Sequence, residues 1–227
     1  AGLSLAIVKD GQVRLLKGYG YANIEDQIPV DPELNTFRIG SVGKTFTYIL
    51  AMQLVDEGKL DLEANVNDYL TEFKIPETYD EPVRIKDLMS HRSGFDVVLN
   101  DLFVRDADEF ETLEEWLSAN VPARVRPPGK VSNYDNYGVA LLGYIVQEVS
   151  GAPYEDLVDQ KILQPLGMER TTARQKAGAD DPRNMSAELA AHTTTPYFWI
   201  NGAFVSTPFE LVPAAPAGAI SSTAADM

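Results

Sequence analysis

Two short patterns in this 227-residue chain carry side chains suited to nucleophilic and acid–base chemistry. In Ser41-Val42-Gly43-Lys44 a hydroxyl and an ammonium stand three residues apart, which on a helix means one face and one turn. A helix opening at Ser41 would aim its unpaired N–H groups and partial positive charge at the serine oxygen, favouring a developing alkoxide. A desolvated lysine there could act as base or relay a proton. In Tyr134-Asp135-Asn136 an extended or turn backbone would point the phenol and the carboxamide the same way. A phenol beside an ammonium can serve as general base, and the carboxamide can hold a substrate amide or carbonyl.

Each pattern is short enough to need its context. With 11 Ser and 9 Lys in the chain, chance yields about 0.4 Ser-x-x-Lys pairs. Tyr-x-Asn occurs twice, since Tyr21-Ala22-Asn23 also fits. The Tyr134 copy is favoured because it lies between the Pro127-Pro128-Gly129 breaker and a long helix, where Asn136 could also cap. The competing reading of either copy is a buried tyrosine with a capping asparagine.

Other arrangements fare worse. Gly43-Lys44-Thr45 resembles the end of a phosphate-binding loop, but Arg38 stands where the first glycine must be. A nucleophile elbow around Ser41 would need glycine where Ile39 stands. His91 and His192 are the only imidazoles, and His91 is expected to order a turn. Two His and no Cys leave no transition-metal set, no disulfide and no thiol nucleophile. Asp106, Asp108, Glu109 and Glu111 lack calcium-loop spacing and read as a solvated face.

Charge narrows the partners. With 34 acidic and 19 basic residues the net charge is -15, which argues against nucleic acid. The excess is concentrated in residues 61–120, with 16 acids against 5 bases, and reads as a solubilising surface. No apolar run approaches the roughly 18 residues of a membrane span, and no signal-peptide pattern opens the chain.

Several elements must position these groups. Leu3 to Lys9 and Gln12 to Tyr19 read as strands joined by the hairpin signal Asp10-Gly11, and Thr36 to Ile39 as a short extended piece. Helical periodicity runs from Ser41 to about Glu57, with Phe46, Ile49, Leu50 and Leu54 in its apolar stripe and Gly58 as its stop. Val83 to His91, Glu111 to Asn120, Tyr137 to Val149 and Tyr154 to Leu163 read as further helices, the last stopped by Pro165. Beyond Met168 the chain reads as loop-rich. A lone hairpin is marginal in water, and strands to complete a sheet are not evident downstream. Thr223 and Asp226 have helix-start spacing with no helix after them, so the expectation is a truncated chain.

Taken in order, these pieces resemble the serine β-lactamase and penicillin-binding-protein superfamily, on its class C-like branch. Gly2 to Gly11 is similar to the opening hairpin, Phe37 to Lys44 to the nucleophile segment and Leu88 to Gly94 to a landmark loop. Pro128 to Gly143 is similar to the second motif in context, and Pro165 to Met168 and Pro216 to Met227 to two later landmarks. The resemblance implies an α/β fold in which an antiparallel sheet is flanked by helices, with a mainly helical subdomain. On that division, residues 1–60 hold the hairpin and nucleophile helix, 61–170 the helical subdomain, and 171–227 a loop-rich return.

The resemblance also implies roles. Ser41 would be the acylated nucleophile and Lys44 its proton-sharing partner. Tyr134 would be base and then acid, Asn136 would orient substrate and contact Lys44, and water would hydrolyse the acyl-enzyme, with no metal or organic cofactor. The substrate would be an ester, amide or lactam, small-molecule or peptide, and a periplasmic or secreted location is favoured. In the family a third motif, Lys-Thr-Gly or a His-containing equivalent, lies on a later strand that carries the second oxyanion donor. The C-terminal strands of the fold are therefore expected to be missing here, with the absent portion as the chain's partner. The rival expectations are a catalytically incompetent binding or assembly module and a nucleotide binder.

Overall fold

The computed structural model describes residues 2–99 and 102–227. Strands Gly2–Lys9 (β1) and Gln12–Asn23 (β2) form an antiparallel hairpin with Lys9 opposite Gln12. Asp10 and Gly11 both take positive φ, 54° and 70°, the backbone that lets a two-residue turn follow the strand twist. Ile28–Pro29 (β3) pairs with the far edge of β2, and Phe37–Arg38 (β4) leads to the Ser41 segment.

Periodicity places the first helix from Ser41, whereas the structure winds Gly40–Gly43 as a 3-10 turn and begins the α-helix, Lys44–Asp56 (α1), three residues later. The tighter winding is common at helix starts, and it leaves Ser41 exposed while Lys44 and Phe46, Thr47, Leu50, Ala51 and Leu54 are buried. Ile49, expected in the same stripe, is exposed. Ile85–Met89 (α2) follows, then Leu113–Ala119 (α3), which starts at a reciprocal cap. Thr112 Oγ1 accepts the Glu115 N–H at 3.2 Å and Glu115 Oε2 accepts the Thr112 N–H at 2.8 Å.

Asn136–Ser150 (α4) is the central helix, with every residue from Tyr137 to Val146 buried and Gly151 left-handed at its end. Its cap is Asp135, whose Oδ1 accepts the Gly138 N–H at 2.9 Å, and not Asn136, as the sequence had suggested. The carboxylate takes the capping position because the Asn136 carboxamide is engaged elsewhere, with Lys44. Around α4 pack α1, α2, α3 and Tyr154–Val158 (α5), with Trp116, Tyr137, Tyr144 and Tyr154 almost wholly enclosed.

Pro165 does not stop the chain where expected. A π-turn at Asp159–Leu163 runs into Gln164–Leu166 (α6), and left-handed Gly167 ends the helix. Proline cannot donate to the carbonyl of Lys161 four residues back, and that oxygen instead accepts from Gln53 Nε2 at 3.4 Å.

After Met168 the chain holds a few short elements separated by loops. Ala187–His192 (α7) starts at Ser186, whose Oγ accepts the Leu189 N–H at 3.2 Å. Tyr197–Ile200 (β5) and Ala203–Ser206 (β6) then form a hairpin about Asn201-Gly202. Ser221–Ser222 (β7) returns to pair antiparallel with β4, and Thr223 Oγ1 accepts the Asp226 N–H at 3.1 Å.

One close contact controls the return of the chain. A 3-10 turn at Ala215–Ala217 lies on α4 over Gly143, where a Cβ would come within 2.3 Å of the Pro216 ring. Gly143→Ala gains up to about 1 kcal/mol of helix propensity. It must also push a rigid ring aside, an overpacking cost of about 1–3 kcal/mol. The expected outcome is a net loss of about 1–2 kcal/mol in urea unfolding, since the ring cannot rotate away. Because the displaced turn carries Ala217, the variant also disturbs the site described next.

Candidate active site

Ser41 Oγ is the meeting point. It accepts a hydrogen bond from Lys44 Nζ at 3.1 Å and another from the Tyr134 hydroxyl, 93 residues along the chain. Lys44 Nζ also donates to Asn136 Oδ1 at 2.8 Å and to the Ala217 carbonyl at 2.6 Å. An ammonium has three protons, and here each has an acceptor. Lys44 is 4% exposed and lies 4.8 Å from the centre of the Tyr134 ring, whereas Tyr134 is 52% exposed. Two hydroxyls thus sit at the surface above a buried, fully hydrogen-bonded ammonium.

The supports of Lys44 come from distant segments. The Pro216 carbonyl accepts from Thr47 Oγ1 at 2.8 Å, and Thr47 Oγ1 is 2.8 Å from the buried Tyr154 hydroxyl. That pairing, with the close approach over Gly143, fixes the turn that presents the Ala217 oxygen. The Ala217 carbonyl was not among the residues singled out in the sequence. Pro216-Ala217-Gly218 marks the segment, but no side chain announces which carbonyl is used.

Tyr134 is mounted on the loop His91-Arg92-Ser93-Gly94. The His91 carbonyl accepts the Asn133 N–H at 2.8 Å, and His91 Nδ1 accepts the Asp135 N–H at 3.2 Å. Ser93 Oγ donates to Asp135 Oδ2 at 2.7 Å, and the Arg92 carbonyl accepts the Gly129 N–H at 2.8 Å. Asp135 is 6% exposed, and burial raises its carboxyl above the usual range against the lowering effect of the Gly138 and Ser93 hydrogen bonds. His91 orders the turn, as its sequence context suggests.

Ser41, Lys44, Tyr134 and Asn136 are therefore brought together, while the second Tyr-x-Asn pattern is not part of the cluster. Tyr21 and Asn23 lie on β2, where Asn23 Oδ1 accepts the Asp26 N–H at 2.8 Å. His192 closes α7. A separate cleft of about 450 Å³ adjoins the Ser41 segment, lined by Arg38, Gly40, Tyr197, Phe209 and Gly218 among others. Burial holds the Arg38 guanidinium down at about 10, despite the nearby Glu210. Among the described residues no group of three or more metal-ligating side chains is assembled, and no helix is long and apolar enough to cross a membrane.

This fold, with a Ser/Lys pair at the head of its first helix, defines a class. The family model described as Beta-lactamase matches residues 1–227. The chain belongs to that family of β-lactamase-like serine hydrolases and has its β-lactamase/transpeptidase-like α/β fold. It is 32% identical over 178 residues to Protein flp of Staphylococcus aureus strain MW2, covering 77% of this chain and 35% of that protein. The octameric penicillin-binding protein homologue from Pyrococcus abyssi superposes with a TM-score of 0.80 at 31% identity, covering 99% of this chain and 50% of that one. The β-lactamase/D-alanine carboxypeptidase from Yersinia pestis, complexed with citrate, superposes at 0.78 with 26% identity, covering 100% and 60%. The chain thus spans about a third to three-fifths of the length of these relatives.

Proposed function

We propose that this chain carries the nucleophile and proton-transfer groups of a serine hydrolase that moves an acyl group from an ester, amide or lactam to water. The observation that carries the reading is the convergence of Lys44 Nζ and the Tyr134 hydroxyl on Ser41 Oγ. Ser41 Oγ attacks the substrate carbonyl while its proton passes to the Tyr134 oxygen, which takes part as the phenolate after giving its own proton to solvent, with the Lys44 ammonium beside both to offset the negative charge. The Ser41 N–H is one oxyanion donor, and such donors are worth several kcal/mol in acyl transfer. Collapse of the tetrahedral intermediate breaks the bond to the leaving group, which takes the proton from Tyr134. Water, deprotonated by the same oxygen, then releases the acid and restores Ser41. The scheme draws on no metal or cofactor.

One comparison bears on substrate. The Yersinia pestis relative is named a β-lactamase/D-alanine carboxypeptidase, which favours small acyl or D-amino peptide substrates. Ester and peptide cleavage are preferred here over potent lactam hydrolysis. Because the chain spans 50% and 60% of the two related structures, the activity is that of the whole protein.

The test is a fluorophosphonate probe applied to the full-length protein, followed by peptide mass mapping. A single adduct on the peptide bearing Ser41 is expected. An adduct on another residue, or ligand binding by folded protein without any adduct, would replace this reading with that of a binding module.

A further inference from the structure

His91 is bonded to both neighbours of Tyr134. The Asn133 N–H goes to its carbonyl at 2.8 Å and the Asp135 N–H to its Nδ1 at 3.2 Å, so the residues on either side of the phenol are tied to one imidazole-bearing residue. The His91 ring also lies against the Tyr134 ring, with centroids 4.8 Å apart and planes tilted by 39°. His91 itself has φ of 54°, which turns its ring and its carbonyl toward the same loop. We propose that His91 is a positioning residue for Tyr134: its neutral ring holds the phenol on Ser41, and protonation of Nδ1 releases it. The catalytic consequence rests on the acyl-transfer reading above.

The chemistry is that of one hydrogen bond. Nδ1 accepts only when it carries no proton, so the tautomer in place has its proton on Nε2. Protonation would set N–H against N–H and remove the clasp on the Asp135 side. The Tyr134 ring lies against the His91 ring, the Asp135 N–H at the head of α4 meets Nδ1, and the charges acting on the imidazole are those of Asp135 and of Lys44 on α1. Burial and the Lys44 charge lower the His91 pKa, while Asp135 opposes them; the net direction is below the ordinary 6.5. The clasp is therefore intact at neutral pH and is lost as pH falls below that value.

The test uses the full-length protein and compares the rate of Ser41 labelling across pH 4.5–8 in wild type, His91→Asn and His91→Ala. Asparagine places Oδ1 near the position of Nδ1, tolerates positive φ and does not titrate in this range. The expectation is that His91→Asn keeps the pH 7.5 rate within about fivefold and loses the acid limb, while His91→Ala loses at least about tenfold at pH 7.5 and converges on wild type at the acid end. An acid limb in His91→Asn that coincides with that of wild type overturns the proposal. A second readout needs no turnover: the Asp135 amide and Tyr134 ring resonances should titrate together with His91 in wild type and stay still in His91→Asn. If wild type fails to label at any pH, the acyl-transfer reading falls. The resonances still decide His91, whose role is overturned if the Asp135 amide does not follow its titration.

Discussion

Lys44→Ala should slow acylation of Ser41 by at least about 10³-fold and destabilise the protein by about 2–4 kcal/mol. Both effects come from one atom. Lys44 Nζ is the donor to Ser41 Oγ, Asn136 Oδ1 and the Ala217 carbonyl, and the side chain is 4% exposed. Removing it leaves the carboxamide and the carbonyl without their donor, at about 1–3 kcal/mol each when water cannot replace it. The remaining hydroxyls lose the positive charge that offsets proton transfer away from Ser41. Urea unfolding and the labelling rate measure the two losses separately. Near-normal labelling in a folded Lys44→Ala protein would remove the lysine from the mechanism.

Tyr134→Phe should do the reverse, costing activity without stability. The ring stays, and with it the contact to the Lys44 ammonium at 4.8 Å and the packing against His91. Only a hydroxyl is lost, from a side chain that is 52% exposed, so unfolding should change by less than about 0.5 kcal/mol. Acylation should fall by about 10²–10⁴-fold, the usual contribution of a positioned acid–base group. Since the phenol acts on a proton in flight, the loss should appear in kcat with KM little altered. A stable variant with near-normal kcat would show that the proton of Ser41 leaves by another route.

What could be read before the structure was the chemistry that local spacing carries. Ser41 and Lys44 are one turn apart, and Tyr134 and Asn136 lie two apart at the entry to a long apolar helix. Those relations need only the geometry of a single element. The misreadings arise where two local rules compete or where the partner is remote. Asp135 and Asn136 are both good caps, and the choice fell to Asp135 because Lys44, 92 residues away, takes the Asn136 oxygen. Pro165 is a sound stop signal until a π-turn and the Gln53 side chain accommodate it. The Asn201-Gly202 hairpin has a local signal, aromatic and β-branched residues flanking a strong turn pair, but it is set among prolines that carry a loop signal of their own. The Ala217 carbonyl, 173 residues from Lys44, had no signal at all, because a main-chain acceptor leaves no mark in residue type.

Rapid-quench kinetics with a nitrophenyl ester, read by nitrophenol release and by intact mass, test the central claim most directly. The account predicts a burst of about one equivalent of nitrophenol, a matching acyl mass on the peptide containing Ser41, and decay of that mass at the steady-state rate. Linear release with no acyl mass, or an acyl group carried by a residue other than Ser41, would contradict it.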